Sequence, residues 1–242
     1  MKAAAVLAAL AALAAALTVG VGGAGAAAAA DECRGLQVCL PVPGPWVAIP
    51  ARTGAAPASV EFELRCPLAG YVVAGIDVRL ADPDIDVGFR GETGSPVGPG
   101  VTTARAVLFT ATYVGERRAP TTFRPFLGCV PTSGGGGRAL TSTAALRPTR
   151  PVTRRVAERL VPPGGRVRAT AACRARETAV DASHAVAFRV EAAPTRAQLG
   201  AVTATHRLTR ANVVATATAA ASVPGRARPF VQVIAHCRKD AQ

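Results

Sequence analysis

The chain is poor in lysine, histidine and aromatic side chains, and each scarcity narrows its chemistry. Lysine occurs only at Lys2 and Lys239, so the remaining basic residues are all Arg. With Ala, Gly, Pro and Val abundant, that choice follows GC-rich coding rather than a need for bidentate contacts. Aromatic residues make up 4% of the chain. So few stacking platforms argue against glycoside cleavage by paired carboxylates and against base-stacking on single strands. There is no Cys-x-x-Cys pair and no Cys/His cluster at finger spacing, so metal ligation by cysteine is not expected, nor is any cofactor. No Gly-x-Ser-x-Gly elbow occurs, and the glycines Gly134 to Gly137 lack the Lys-Ser/Thr of a phosphate-binding loop. No helix-turn-helix, RNP or finger motif supports sequence-specific nucleic-acid recognition.

No apolar run beyond the N-terminus is long enough to cross a bilayer. What stands at the N-terminus reads as an export signal over residues 1–30. Lys2 supplies the positive start, an Ala/Leu/Val run follows, and Ala28, Ala29 and Ala30 offer the small residues that signal peptidase requires. The mature chain is expected to begin near Asp31, to be secreted, extracellular or cell-wall associated, and to keep no transmembrane anchor. Half of all residues are hydrophobic and 18% charged, which excludes a wholly disordered chain.

The six cysteines, Cys33, Cys39, Cys66, Cys129, Cys173 and Cys237, form an even set in an exported chain and read as three disulfides. Cys66 to Cys129 and Cys173 to Cys237 are nearly equal spans, and Cys33 and Cys39 are close neighbours. The expected pairing is 33 with 39, 66 with 129 and 173 with 237, within a tandem repeat. Arg124-Pro125-Phe126 and Arg228-Pro229-Phe230 support the repeat loosely, because they stand at different distances from their cysteines.

Alternating apolar residues mark strands. Val60, Phe62, Leu64 and Cys66 share one face, as do Ile85, Val87 and Phe89, then Val107, Phe109, Ala111 and Tyr113. In the second half Val202, Ala204, His206 and Leu208 oppose Thr203, Thr205, Arg207 and Thr209, and Val231, Val233, Ala235 and Cys237 form a closing strand. The expected fold is all-β: two tandem small antiparallel β-sandwich modules of immunoglobulin-like architecture after the cleaved signal. A Pro-rich segment with the short disulfide loop spans 31–57, the first module 58–130, a Gly/Pro/Ser/Thr linker 131–151 and the second module 152–242. Trp46, in the Pro-rich stretch, reads as a packing residue.

The segment Cys66-Pro67-Leu68-Ala69-Gly70, closed by Cys129, resembles the Cys-Pro-x-x-Gly opened, Cys-closed β units of exported actinobacterial proteins of unassigned function. The likeness covers residues 59–131 well and 166–238 more weakly. It implies an exported β domain and brings no catalytic residues with it.

Asp77, Asp82, Asp84, Asp86 and Glu92 crowd the first module. Val87 and Thr93 stand where a calcium-binding EF loop needs Gly and Glu, so a solvated turn with Arg79 and Arg90 as partners is the reading, and a different oxygen-rich calcium site the alternative. Asp181, Ser183 and His184 adjoin, but neighbours on a strand point to opposite faces, so a hydrolytic set is not expected there. The three histidines, His184, His206 and His236, read as surface or satisfied core residues.

Charge is the informative property. Residues 31–130 carry nine Arg against ten acids, net −1, and residues 151–242 carry fourteen Arg and one Lys against five acids, net +10. That asymmetry favours anionic partners. The expectation is a non-enzymatic secreted structural or binding protein whose second module associates with anionic cell-envelope polymers. Arg166, Arg168, Arg174, Arg176, Arg207, Arg210, Arg226 and Arg228 are the candidate contacts. The alternative is an extracellular hydrolase.

Overall fold

The computed structural model describes residues 31–34, 36, 38–52, 56–91, 104–116, 118–132 and 152–240. The export signal over residues 1–30, the Gly/Pro stretch 94–100 with Glu92, and nearly all of the linker lie outside the described residues. A short 3-10 turn at Asp31–Cys33 leads into β1 (Leu40–Pro43), β2 (Trp46–Ile49), β3 (Ser59–Arg65), β4 (Tyr71–Leu80), β5 (Ile85–Gly91), β6 (Ala106–Tyr113) and β7 (Thr121–Pro131). The second half contributes β8 (Val152–Leu160), β9 (Arg166–Ala172), β10 (Glu177–Phe188), the one-turn helix α1 (Arg196–Gly200), β11 (Val202–Leu208), β12 (Asn212–Ala219) and β13 (Pro229–Lys239). The fold is therefore all-β in character, and every strand pair is antiparallel.

The alternation read from the sequence explains these strands. Val60 and Phe62 are buried on β3, and Val107, Phe109, Ala111 and Tyr113 on β6, with Phe62 and Phe109 directly opposed in register. On β13, Val231, Val233, Ala235 and Cys237 are buried as expected, but so are Phe230, Gln232 and Ile234, so both faces of this strand are covered. In the second half the core is mostly small: Ala169, Ala171, Ala215, Ala217, Ala219 and Ala235 pack with valines around Phe188. Alanine's intrinsic preference is helical, and here burial between sheets overrides it.

Strand order is the same in the two halves. The first has a three-stranded sheet β3-β6-β5, with β7 pairing β4 and β2; the second has β9-β12-β11, with β13 pairing β10 and β8. The irregularities match too. Val73 opposes Cys129 before a register shift to Gly75, and Ala179 opposes Cys237 before a shift to Asp181. Cys66 and Cys173 each donate their backbone N–H just after β3 and β9, to the carbonyls of Arg105 and Ala211. All three disulfides pair as the spacing predicts, Cys33–Cys39, Cys66–Cys129 and Cys173–Cys237. Each long bridge ties a three-stranded sheet to the large one. The Arg-Pro-Phe tripeptides, by contrast, fall at different depths, Pro125 inside β7 and Pro229 at the start of β13.

The two modules expected at 58–130 and 152–242 do not stand apart on their linker. Residues Asp31–Gln242 form one compact unit. The cause is β2, which pairs with β7 through Val47–Phe123 and with β10 through Val47–Ala187, so that one seven-stranded sheet runs through both halves. Trp46, Val47 and Ile49 are buried. An apolar run without alternation suits a strand covered on both faces. Trp46 is a packing residue whose indole N–H donates to the Glu191 carbonyl at 3.1 Å. Ala185, Ala187 and Phe230 of the second half belong to the first half's core.

Candidate functional site

All eight candidate arginines are exposed, and none forms an ion pair with a carboxylate among the described residues. They do not form one patch. Arg166 and Arg168 alternate on β9 and Arg207 lies on β11, with Thr203, Thr205, Thr216 and Thr218 between them in register on the outward face of the sheet. Thr203 and Thr218 share a hydrogen bond of 2.9 Å. Arg174, Arg176 and Arg210 gather at the disulfide end of that sheet, where Arg210 accepts the Ala179 N–H on its carbonyl. Arg226 and Arg228 occupy the turn before β13, Arg228 with a positive φ of 41°.

The acidic turn is structural at its centre. Asp82 is buried and its Oδ1 accepts the Asp84 N–H at 3.1 Å, while Asp84 and Asp86 are exposed. Arg79 stacks over Phe126 instead of pairing at the turn, and Arg90 lends its charge to Glu61. The cysteine sulphurs beside Glu177 are consumed by the Cys173–Cys237 bridge and are not metal ligands.

A cleft of about 570 Å³ opens where the halves meet, lined by the ends of β2 and β3, by residues 181–186 of β10 and by β11. Beyond its short pairing with β2, the edge of β10 facing this cleft has no strand partner among the described residues. Two groups of polar side chains stand on opposite faces of β10. On one face, Glu61 holds His236 through Oε2 at 3.2 Å. This hydrogen bond is the main cause that lowers the Glu61 carboxyl below its ordinary value; burial opposes it, and Ser183 and Arg90 assist. Ser183 lies beside the same carboxylate, close enough to act on it but outside full hydrogen-bond geometry, so its buried hydroxyl is left without a well-formed bond.

On the other face, His184 and His206 meet with Nδ1 atoms 2.7 Å apart, and Nε2 of His184 donates to the Ala204 carbonyl at 3.0 Å. Burial pushes the His184 imidazole below its usual value and the neighbouring His206 adds to this, against the Ala204 carbonyl, which favours the proton. Both ring nitrogens of His184 are thus engaged, neither by Ser183 nor by Asp181. Asp181 Oδ1 accepts the Ala182 N–H at 2.7 Å. The sequence reading of the histidines as surface or satisfied core residues named no pairing among them. The sign available was the place of His206 on the same strand face as Ala204 and Val202.

A second polar junction escaped sequence reasoning altogether. Glu63 is buried between Arg154 at 2.7 Å and Arg65 at 2.9 Å. Compared with known proteins, the chain matches no family model, no curated protein and no solved structure.

Proposed function

We propose that the chain is an exported binding protein, built as two tandem immunoglobulin-like β-sandwich units, whose basic second half attaches to anionic cell-envelope polymers. Three disulfides fit an oxidising compartment. The shared strand order and the matching register shifts beside Cys129 and Cys237 support the tandem reading. The observation that carries the binding role is the set of eight exposed arginines, none with its guanidinium in a close ion pair among the described residues although Arg174 lies beside Glu177, and three of them flank threonine hydroxyls on one sheet face. Guanidinium groups free of close ion pairs keep their N–H donors for phosphate or carboxylate acceptors, and the hydroxyls add hydrogen bonds.

The test is retention on an anionic matrix. Binding should weaken steadily as salt rises, because each contact releases counterions. Passage through the column at low salt would overturn the proposal. The alternative, an extracellular hydrolase, draws on the cleft and on Ser183. It would be favoured by turnover of generic ester or peptide substrates that is lost in Ser183→Ala.

A further inference from the structure

The hydrogen bond on the far side of the His184 ring decides which of its nitrogens is available. A carbonyl can only accept, so His184 carries its proton on Nε2 and donates it to Ala204. In the neutral ring its Nδ1 is then a bare lone pair, directed at Nδ1 of His206. An imidazole anchored through one N–H to a backbone carbonyl, with the other nitrogen presented to a second imidazole, is how proteins orient histidine metal ligands. The half-buried position of His184 restrains the ring further, and the cleft beside it leaves space for additional ligands.

Comparison of the two halves sets this pair apart. Counting onward from the matched register shifts, His184 on β10 occupies the place that Val78 holds on β4; His184 opposes Val233 and Val78 opposes Pro125. The architecture needs no histidine at this place, since an apolar residue serves in the other half.

We propose that Nδ1 of His184 and Nδ1 of His206 form a two-imidazole site for a borderline divalent transition cation, with water or a small donor in the cleft completing the coordination. Imidazole donors suit Zn²⁺, Ni²⁺ and Cu²⁺ and disfavour Mg²⁺ and Ca²⁺. Metal–nitrogen bonds of about 2.0–2.1 Å at a tetrahedral angle place the two nitrogens about 3.3 Å apart. The rings must part by roughly half an ångström from their hydrogen-bonded separation, which exposed His206 on the edge strand β11 can accommodate. Without a cation, His206 donates its Nδ1 proton to His184. Ligation requires the other tautomer of His206: its proton passes from Nδ1 to the solvent-facing Nε2 with no net release, and both Nδ1 lone pairs are left for the metal.

The test is calorimetric titration of the tag-free, chelator-treated full chain with ZnCl₂ and NiCl₂, alongside MgCl₂ and CaCl₂. One saturable site is expected for the first two salts and none for the others. His206→Gln removes one ligand from an exposed position, so the fold should stand, with unchanged circular dichroism, while affinity falls by about tenfold or more. His184→Gln should act likewise. His236→Gln, on the other face of β10 with Glu61, should leave cation binding unchanged. Absence of binding by the native chain, or binding insensitive to His206→Gln, would show that the pair is a hydrogen bond and nothing more.

Discussion

The side chain of Gln232 pairs with the backbone of Glu63 as a strand would. Its Oε1 accepts the Glu63 N–H at 2.7 Å, and its Nε2 donates to the Glu63 carbonyl at 3.0 Å and to Glu158 at 2.9 Å. Gln232 is 1% exposed, so these bonds lie out of water and join β13 to β3 across the two halves. Replacing Gln232 by Leu leaves two buried backbone groups without partners, each worth about 1–3 kcal/mol. We expect a loss of about 3 kcal/mol in urea unfolding. A change below about 0.5 kcal/mol would mean that the junction tolerates its own removal.

Glu63 and Arg154 form another cross-half contact, with side chains 3% and 12% exposed. Removing either partner alone strands a largely buried charge and should cost about 3 kcal/mol, whereas Glu63→Leu combined with Arg154→Leu should cost less than either single change. A double-mutant cycle reads this directly. Additive losses would count against charge pairing as the reason for the contact.

Acid should weaken the Glu61 to His236 contact in a defined sense. The carboxyl is lowered from 4.5 in the fold, chiefly by the His236 hydrogen bond. Its stabilising contribution is therefore complete above the unfolded value and lost as pH falls through the lower folded value. The advantage of the native chain over Glu61→Gln should shrink as pH drops through and below the ordinary carboxylate range. Denaturant midpoints at a series of pH values measure it, and an advantage that grows on acidification would reverse the assignment.

The outward sheet face can be tested apart from stability. Arg166→Gln, Arg168→Gln and Arg207→Gln together remove three exposed charges without touching the core. Surface changes of this kind usually alter stability by about 0.5 kcal/mol or less. We expect the triple variant to leave an anionic column at lower salt with an unchanged unfolding midpoint. Elution at the native salt concentration would place the binding elsewhere.

The Cys173–Cys237 bridge closes a span of 64 residues. In the chain-entropy model such a loop contributes about 4 kcal/mol. The double replacement Cys173→Ala and Cys237→Ala should lower the denaturant midpoint markedly, by an amount similar to Cys66→Ala with Cys129→Ala. Unequal losses would show that the matched bridges do unequal duty.

The amino-acid order alone determined which cysteines pair, because even number and near-equal spans left few sensible partners, and it determined one buried face each of β3, β6 and β13, because strand side chains alternate; the second covered face of β13 it did not show. It also exposed the eight arginines, since charges without partners stay in water. Only the tertiary structure decided that β2 stitches the halves into one sheet, that Gln232 reaches Glu63 over 169 positions, and that His184 meets His206 while His236 meets Glu61. The physical reason is that alternation fixes the side of a strand but not what is stacked above it. Which strand edge is left open, and which polar side chain lies opposite another, follow from how the sheets are laid together.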